Sequence, residues 1–120
     1  MQIRASAEDY LETILLLSQK SDAIRSIDVV GEMGFSKPSV SIAMKKLREN
    51  GMIEVDLDGH ITLTEKGLEA AENVYERHTT LYNWMISNGV SEDQAAIDAC
   101  EMEHIISEET FEMIKRISRK

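Results

Sequence analysis

Among 120 residues there is one cysteine, one proline and an aromatic content of only 5%. A lone Cys100 cannot close an intramolecular disulfide. In a reducing compartment its thiol is a buried core group, a metal ligand or a reactive nucleophile. A single proline leaves long helices uninterrupted, and 42% hydrophobic with 29% charged residues describes a mostly helical globular chain rather than a disordered one. No run approaches the ~18 uninterrupted apolar residues of a membrane span, and the basic-then-apolar start of a signal peptide is missing, so a cytoplasmic protein without membrane contact is expected. Phosphate loops, dinucleotide glycine motifs and zinc-protease helix motifs are all absent. Cys100 has His104 beside it on the next turn but no evident oxyanion donors, so the chain is not expected to be an enzyme.

Basic charge is also scarce: the net charge is −9. Phosphate contacts supply much of the affinity for nucleic acid, so the sum argues against a polyanionic partner. The distribution argues otherwise. Residues 1–50 hold seven basic and seven acidic side chains, whereas residues 51–120 hold six and fifteen. Within residues 36–50 the balance is positive, with Lys37, Lys45, Lys46 and Arg48 against Glu49.

Tyr10, Leu11, Ile14, Leu15 and Leu17 recur at helical spacing, which predicts a first helix over Ser6–Gln19 with Glu8 and Asp9 in its first turn. A polar break at Lys20–Asp22 precedes a short helix over about Ser26–Met33, whose apolar positions are Ile27, Val29, Val30 and Met33. Gly34 then closes it, Ser36 caps the next helix, Pro38 fits the first turn, and Val40, Met44 and Leu47 form an inner stripe as far as Asn50-Gly51. Two helices about a tight glycine turn read as helix-turn-helix. After Gly51 the period changes to two: Ile53, Val55 and Leu57, then Asp58-Gly59, then Ile61 and Leu63. This predicts a hairpin whose two turn residues both take positive φ. Helices over about Glu65–Ser87, Glu92–Ile106 and from Ser107 follow, with Ser91 and Gln94 forming a capping box. The order is that of a winged helix-turn-helix followed by an all-helical domain, mainly α with a small β-hairpin. The joint is expected inside the long helix, giving a DNA-binding domain over 1–72 and a metal-binding and dimerisation domain over 73–120.

A recognition helix needs short polar residues at its N-terminus for base edges and cations around it for phosphates. Ser36, Lys37, Pro38, Ser39 and Ser41 occupy that end, followed by Lys45 and Lys46; a solvated basic face is the plainer reading. Asp56, Asp58 and His60 make the wing acidic, which repels phosphate. A second constellation is Cys100, Glu103 and His104, at i, i+3 and i+4, which share a helix face and all carry metal-donor atoms. Asp9 and Glu12 form an i, i+3 acidic pair on helix one, and His78 sits mid-way along the long helix. Taken singly, Cys100 is more often a small core residue, His78 a surface or interface residue, and Asp9 or Glu12 a solvated carboxylate. A regulator sensing a small organic ligand or thiol oxidation through Cys100 is the alternative.

Ala7-Glu8-Asp9-Tyr10-Leu11-Glu12-Thr13-Ile14, Lys37-Pro38-Ser39-Val40-Ser41, Leu63-Thr64-Glu65-Lys66-Gly67, Arg77-His78 and Asp98-Ala99-Cys100-Glu101-Met102-Glu103-His104-Ile105-Ile106-Ser107 resemble the iron- and manganese-dependent repressors typified by the diphtheria toxin repressor and the manganese transport regulator. The resemblance implies a repressor of metal-homeostasis genes, activated by Fe(II) or Mn(II), that binds double-stranded DNA at a palindromic operator as a homodimer. It also implies a primary metal site at Asp9, Cys100, Glu103 and His104. Asp9 is the manganese-regulator choice and Cys100 the iron-regulator choice, so the site resembles a hybrid. A second metal of the manganese type would fall between Glu12 and His78, with Cys100 where those regulators have a bridging carboxylate. The iron regulators' ancillary site keeps only His78, its other positions falling on Tyr82 and Ala96. Ending at residue 120 without an SH3-like third domain, the chain is expected to side with the manganese branch. Trp84, Met85, Met102, Ile105, Ile106, Phe111, Ile114 and Ile117 are the apolar side chains expected at a dimer interface.

Overall fold

A computed structural model describes residues 2–119, in six helices and one hairpin. The helices are α1 Gln2–Ser18, α2 Ser26–Met33, α3 Lys37–Glu49, α4 Glu65–Ser87, α5 Glu92–Ile105 and α6 Glu108–Ser118, and the strands are β1 Ile53–Val55 and β2 Ile61–Leu63. The chain divides into two compact units, residues 1–72 and 73–120, with α4 running through the division.

In the first unit, Tyr10, Leu11, Ile14 and Leu15 of α1 pack with Val29 of α2, with Val40, Met44 and Leu47 of α3, and with Ile53 and Ile61 of the hairpin. Ile14, Val29 and Val40 are fully buried, and each such side chain contributes about 1.5–3 kcal/mol on leaving water. Of the apolar positions of α2, Val29 is buried and Val30 and Met33 pack against the core, whereas Ile27 is 53% exposed. Helix α1 begins four residues ahead of the expected Ser6: nothing in Ile3-Arg4-Ala5 breaks a helix, so Glu8 and Asp9 stand beyond the first turn. Gly34, at φ 73°, ends α2 with its N–H on Val30 O, and Ser36 Oγ accepts from Ser39 N at 3.3 Å to start α3.

The strands pair antiparallel with Val55 opposite Ile61, but the connection is not the expected turn with two positive-φ residues. Only Gly59 has positive φ, at 84°. Gly59 N donates to Asp56 O, Asp56 N donates to His60 O, and the Asp56 carboxylate accepts from Asp58 N and His60 N at 2.9 Å each. These bonds make a three-residue loop that closes on a left-handed glycine. Leu57, expected to continue the inward strand face, is therefore fully exposed at the tip. Ile61 N also donates to Ile24 O, so the segment before α2 lies along β2. Thr64 joins the wing to α4: its hydroxyl donates to Gly51 O at 2.6 Å and accepts from Gly67 N at 3.0 Å. At Gly67 a Cβ would collide with the Met52 carbonyl, so only glycine permits this approach.

In the second unit, Leu81 and Met85 of α4, Ala95 and Ala99 of α5 and Ile114 of α6 form a separate core. Phe111, at 1% exposure, is buried as well. The two alanines are fully buried. Ser91 Oγ accepts from Gln94 N at the start of α5, but the Gln94 side chain bonds Asp98 instead of returning, so the capping box is half made. Ser107 caps α6 in the same way. Met85 and Ile114 are used in this core and Phe111 is buried, so none of the three is available to a partner; Ile105 at 68% and Ile117 at 49% exposure are.

Candidate metal centre and nucleic-acid interface

On α3 the residues inside and outside separate cleanly. Val40, Met44 and Leu47 are buried, while Lys37, Pro38, Ser39, Ser41, Lys45, Lys46 and Arg48 are exposed. Ile42, which the sequence reading passed over, is 58% exposed. It lies four residues from Pro38 and three from Lys45, at the middle of the outward face. Spacing on α3 alone would have revealed it: the buried stripe at 40, 44 and 47 puts 38, 42 and 45 opposite. An open cleft of about 300 Å³ runs between the start of α2, α3 and β1, lined by Ser26, Ser41, Lys45 and Arg48. Exposed lysine and arginine beside the N-terminus of a helix is an arrangement that receives phosphate. Ser36 and Ser39 are bonded to each other, Oγ to Oγ at 2.9 Å.

The wing tip keeps its acidic character. Ligand atoms of Asp56, Asp58 and His60 lie within 4.8 Å of one another. The Asp56 carboxyl is held below the usual carboxylate range, first by the His60 backbone N–H and further by that of Asp58. His60 also meets Arg25, Nε2 to a guanidinium nitrogen at 3.4 Å.

In the second unit Glu103 is the one buried charged-type side chain among the described residues, at 2% exposure. Its Oε1 accepts from His78 Nδ1 at 2.8 Å. Its Oε2 has no hydrogen-bond partner; His104 Nε2 stands 3.5 Å away without forming one. A buried carboxylate oxygen left unpaired costs about 1–3 kcal/mol, which native folds rarely leave unanswered. An oxygen with two lone pairs, an imidazole of each neighbouring residue and little solvent is a donor set that fits a divalent cation. Cys100, one turn earlier on α5, is exposed where Glu103 is buried. It joins no group of three donors within 4.8 Å among the described residues. Asp9 and Glu12 lie in the first unit, half-buried, three residues apart on α1. Burial of Glu103 was not legible in the sequence, because i, i+3 spacing gives a shared face but not its cover.

Residues 2–61 match the family model described as the iron-dependent repressor N-terminal DNA-binding domain, and residues 64–119 match its metal-binding and dimerisation domain. The chain belongs to the iron-dependent repressor family. It is 33% identical over 117 residues to the transcriptional regulator MntR of Escherichia coli O6:H1, covering 98% of this chain and 76% of that one. An HTH-type transcriptional regulator of Methanocaldococcus jannaschii is 32% identical, covering 96% and 94% of the two chains. Iron-dependent repressor IdeR of Mycobacterium tuberculosis is 26% identical over 113 residues, covering 93% of this chain and 49% of its own. Among solved structures, a manganese-dependent transcriptional repressor in complex with manganese superposes with a TM-score of 0.85 at 26% identity, covering 94% of this chain. The chain spans about half the length of that repressor, 52%. The similar proteins whose names state a metal include one manganese-dependent and one iron-dependent repressor. No helix among the described residues is long and apolar enough to cross a membrane.

Proposed function

We propose that this chain is a cytoplasmic, non-enzymatic repressor of metal-homeostasis genes that binds a palindromic operator as a homodimer when loaded with Fe(II) or Mn(II). Residues 1–72 form its DNA-binding domain and 73–120 its metal-binding and dimerisation domain. The observation that carries the reading is the unpaired Oε2 of Glu103, buried beside two imidazoles. Asp9, Cys100, Glu103 and His104 would hold the activating cation, with Glu12 and His78 for a second. When bound, the cation supplies the positive charge that carboxylates from both domains share. Without it, two such carboxylates repel one another, and the domains lose their common tie. His78 fixes one oxygen of Glu103 and so leaves the other for coordination.

At the operator, Lys37, Ser39 and Ser41 would meet the edge of the major groove, with Ser36 and Pro38 setting the start of α3. Lys45 and Lys46 would follow toward phosphates. Ile42 adds an apolar contact of the kind that reads a thymine methyl group. One winged helix reads only a half-site, so two copies related by a two-fold axis are needed, with Ile105 and Ile117 among the side chains at their contact. A coupling of about 1–3 kcal/mol between metal and operator would change DNA affinity 5- to 150-fold.

Operator binding measured by fluorescence anisotropy across a panel of divalent ions tests this. Fe(II) or Mn(II) should raise affinity within that range, and Asp9→Ala should bind some metal yet fail to respond. An Asp9→Ala variant that binds metal poorly but is fully activated at saturation would refute the tie between domains.

A further inference from the structure

We infer that Arg77 is a positioning residue for the metal centre, gripping Glu103 by its backbone while the adjacent His78 grips it by its carboxylate. The inference rests on the reading of Glu103 and His104 as ligands. Helix α5 ends at Ile105 without a glycine, and its cap residue Ile106 has extended backbone, φ −79° and ψ 149°. Ile106 N donates to Met102 O, but the carbonyls after it do not receive the donors that a left-handed glycine turn would supply. Arg77 supplies two. Its Nη1 donates to Glu103 O at 3.2 Å and to Ile106 O at 2.9 Å, and its Nη2 donates to Glu108 Oε1 at 3.0 Å in the first turn of α6. The guanidinium also lies 5.2 Å from the centre of the Phe111 ring.

The fork geometry explains why this is an arginine: one planar group with fixed N–H directions reaches the end of α5, the turn and the start of α6 at once, which an ammonium cannot. Glu108 balances the positive charge that would otherwise oppose a cation at the neighbouring carboxylate. Arg77 and His78 are consecutive on α4, so Glu103 is held at both its carbonyl and its Oε1 by one turn of one helix. Its remaining oxygen, Oε2, then has a single position. This is the outer-shell arrangement that orients a ligand before the metal arrives.

The test is Mn(II) affinity of the full chain, read from the electron paramagnetic resonance of unbound Mn(II), with circular dichroism to follow folding. Arg77→Met should weaken Mn(II) binding by about 10- to 100-fold, the usual cost of losing an outer-shell partner, with helix content unchanged. Arg77→Lys should lose less than Arg77→Met. Lys115→Met removes another polar link from α4 to α6, the 2.7 Å pair with Glu76, without touching α5, and should leave Mn(II) affinity as it was. Wild-type affinity in Arg77→Met, or an equal loss in Lys115→Met, overturns the inference, since the second would mean that any loosening of α6 has the same effect. Should Arg77→Met fail to fold, Arg77→Lys decides: weakened binding with native helix content supports the clamp, and wild-type binding rejects it. If the wild-type chain itself binds no Mn(II), the ligand reading fails rather than the clamp.

Discussion

Replacing Glu103 by methionine should make the metal-free protein more stable while destroying its response to metal. The side chain is buried, and its Oε2 lacks a partner. An unpaired buried acceptor costs about 1–3 kcal/mol, and an unbranched apolar side chain of similar length removes that cost. Against it stands the 2.8 Å bond from His78, a bond to a charged group and so worth about 1.5–3 kcal/mol. Because His78 is 31% exposed, water can take the vacated position and return part of that loss. The two ranges nearly cancel, and what water returns leaves a gain of up to about 1 kcal/mol, or up to about 4 °C in Tm for a chain of this size. Saturating metal reverses the order: at one hundred times Kd the wild type gains about 2.7 kcal/mol and the variant nothing. Thermal melts followed by circular dichroism at one fixed protomer concentration, in chelator and in Mn(II), should therefore cross. A variant less stable than wild type in chelator would mean that Oε2 is satisfied in the metal-free protein. One that still gained several degrees in Mn(II) would mean that the cation sits elsewhere.

Gly67→Ala should lower the metal-free Tm by the equivalent of about 1–3 kcal/mol or more, since the new Cβ meets the Met52 backbone carbonyl rather than a movable side chain; a neutral effect in a thermal melt would show that the start of α4 can shift at no cost. Lys37→Glu should abolish operator binding with metal present, and the wild-type affinity should fall steeply between about 50 and 200 mM salt, as several phosphate contacts require. A flat salt profile in the same anisotropy assay would remove α3 as the contacting surface.

The local elements were legible because their signals are local. Gly34 followed by Ser36 and Pro38, the buried spacing at 40, 44 and 47, and the serines at 91 and 107 each act within one turn of chain, and the helices begin and end where they indicate. The family resemblance was likewise carried by short runs of residues, from Asp9 to His104. Where the outcome depends on neighbours distant in sequence, the chain was silent or misleading. The Asp58-Gly59 pair suits a two-residue turn as well as the three-residue loop it adopts, and the Asp56 carboxylate bonding across the loop selects the latter. Phe111 and Ile114 look the same in sequence whether they face a core or a second copy, and only the folded chain buries both, Ile114 against side chains of α4 and α5. Residues 100, 103 and 104 share a helix face by spacing alone. That Glu103 is shut from water with one oxygen paired and the other not, while Cys100 stays exposed, is decided by what covers the end of α5: His78 and Arg77, 25 and 26 residues away along the chain, reaching it from a different helix.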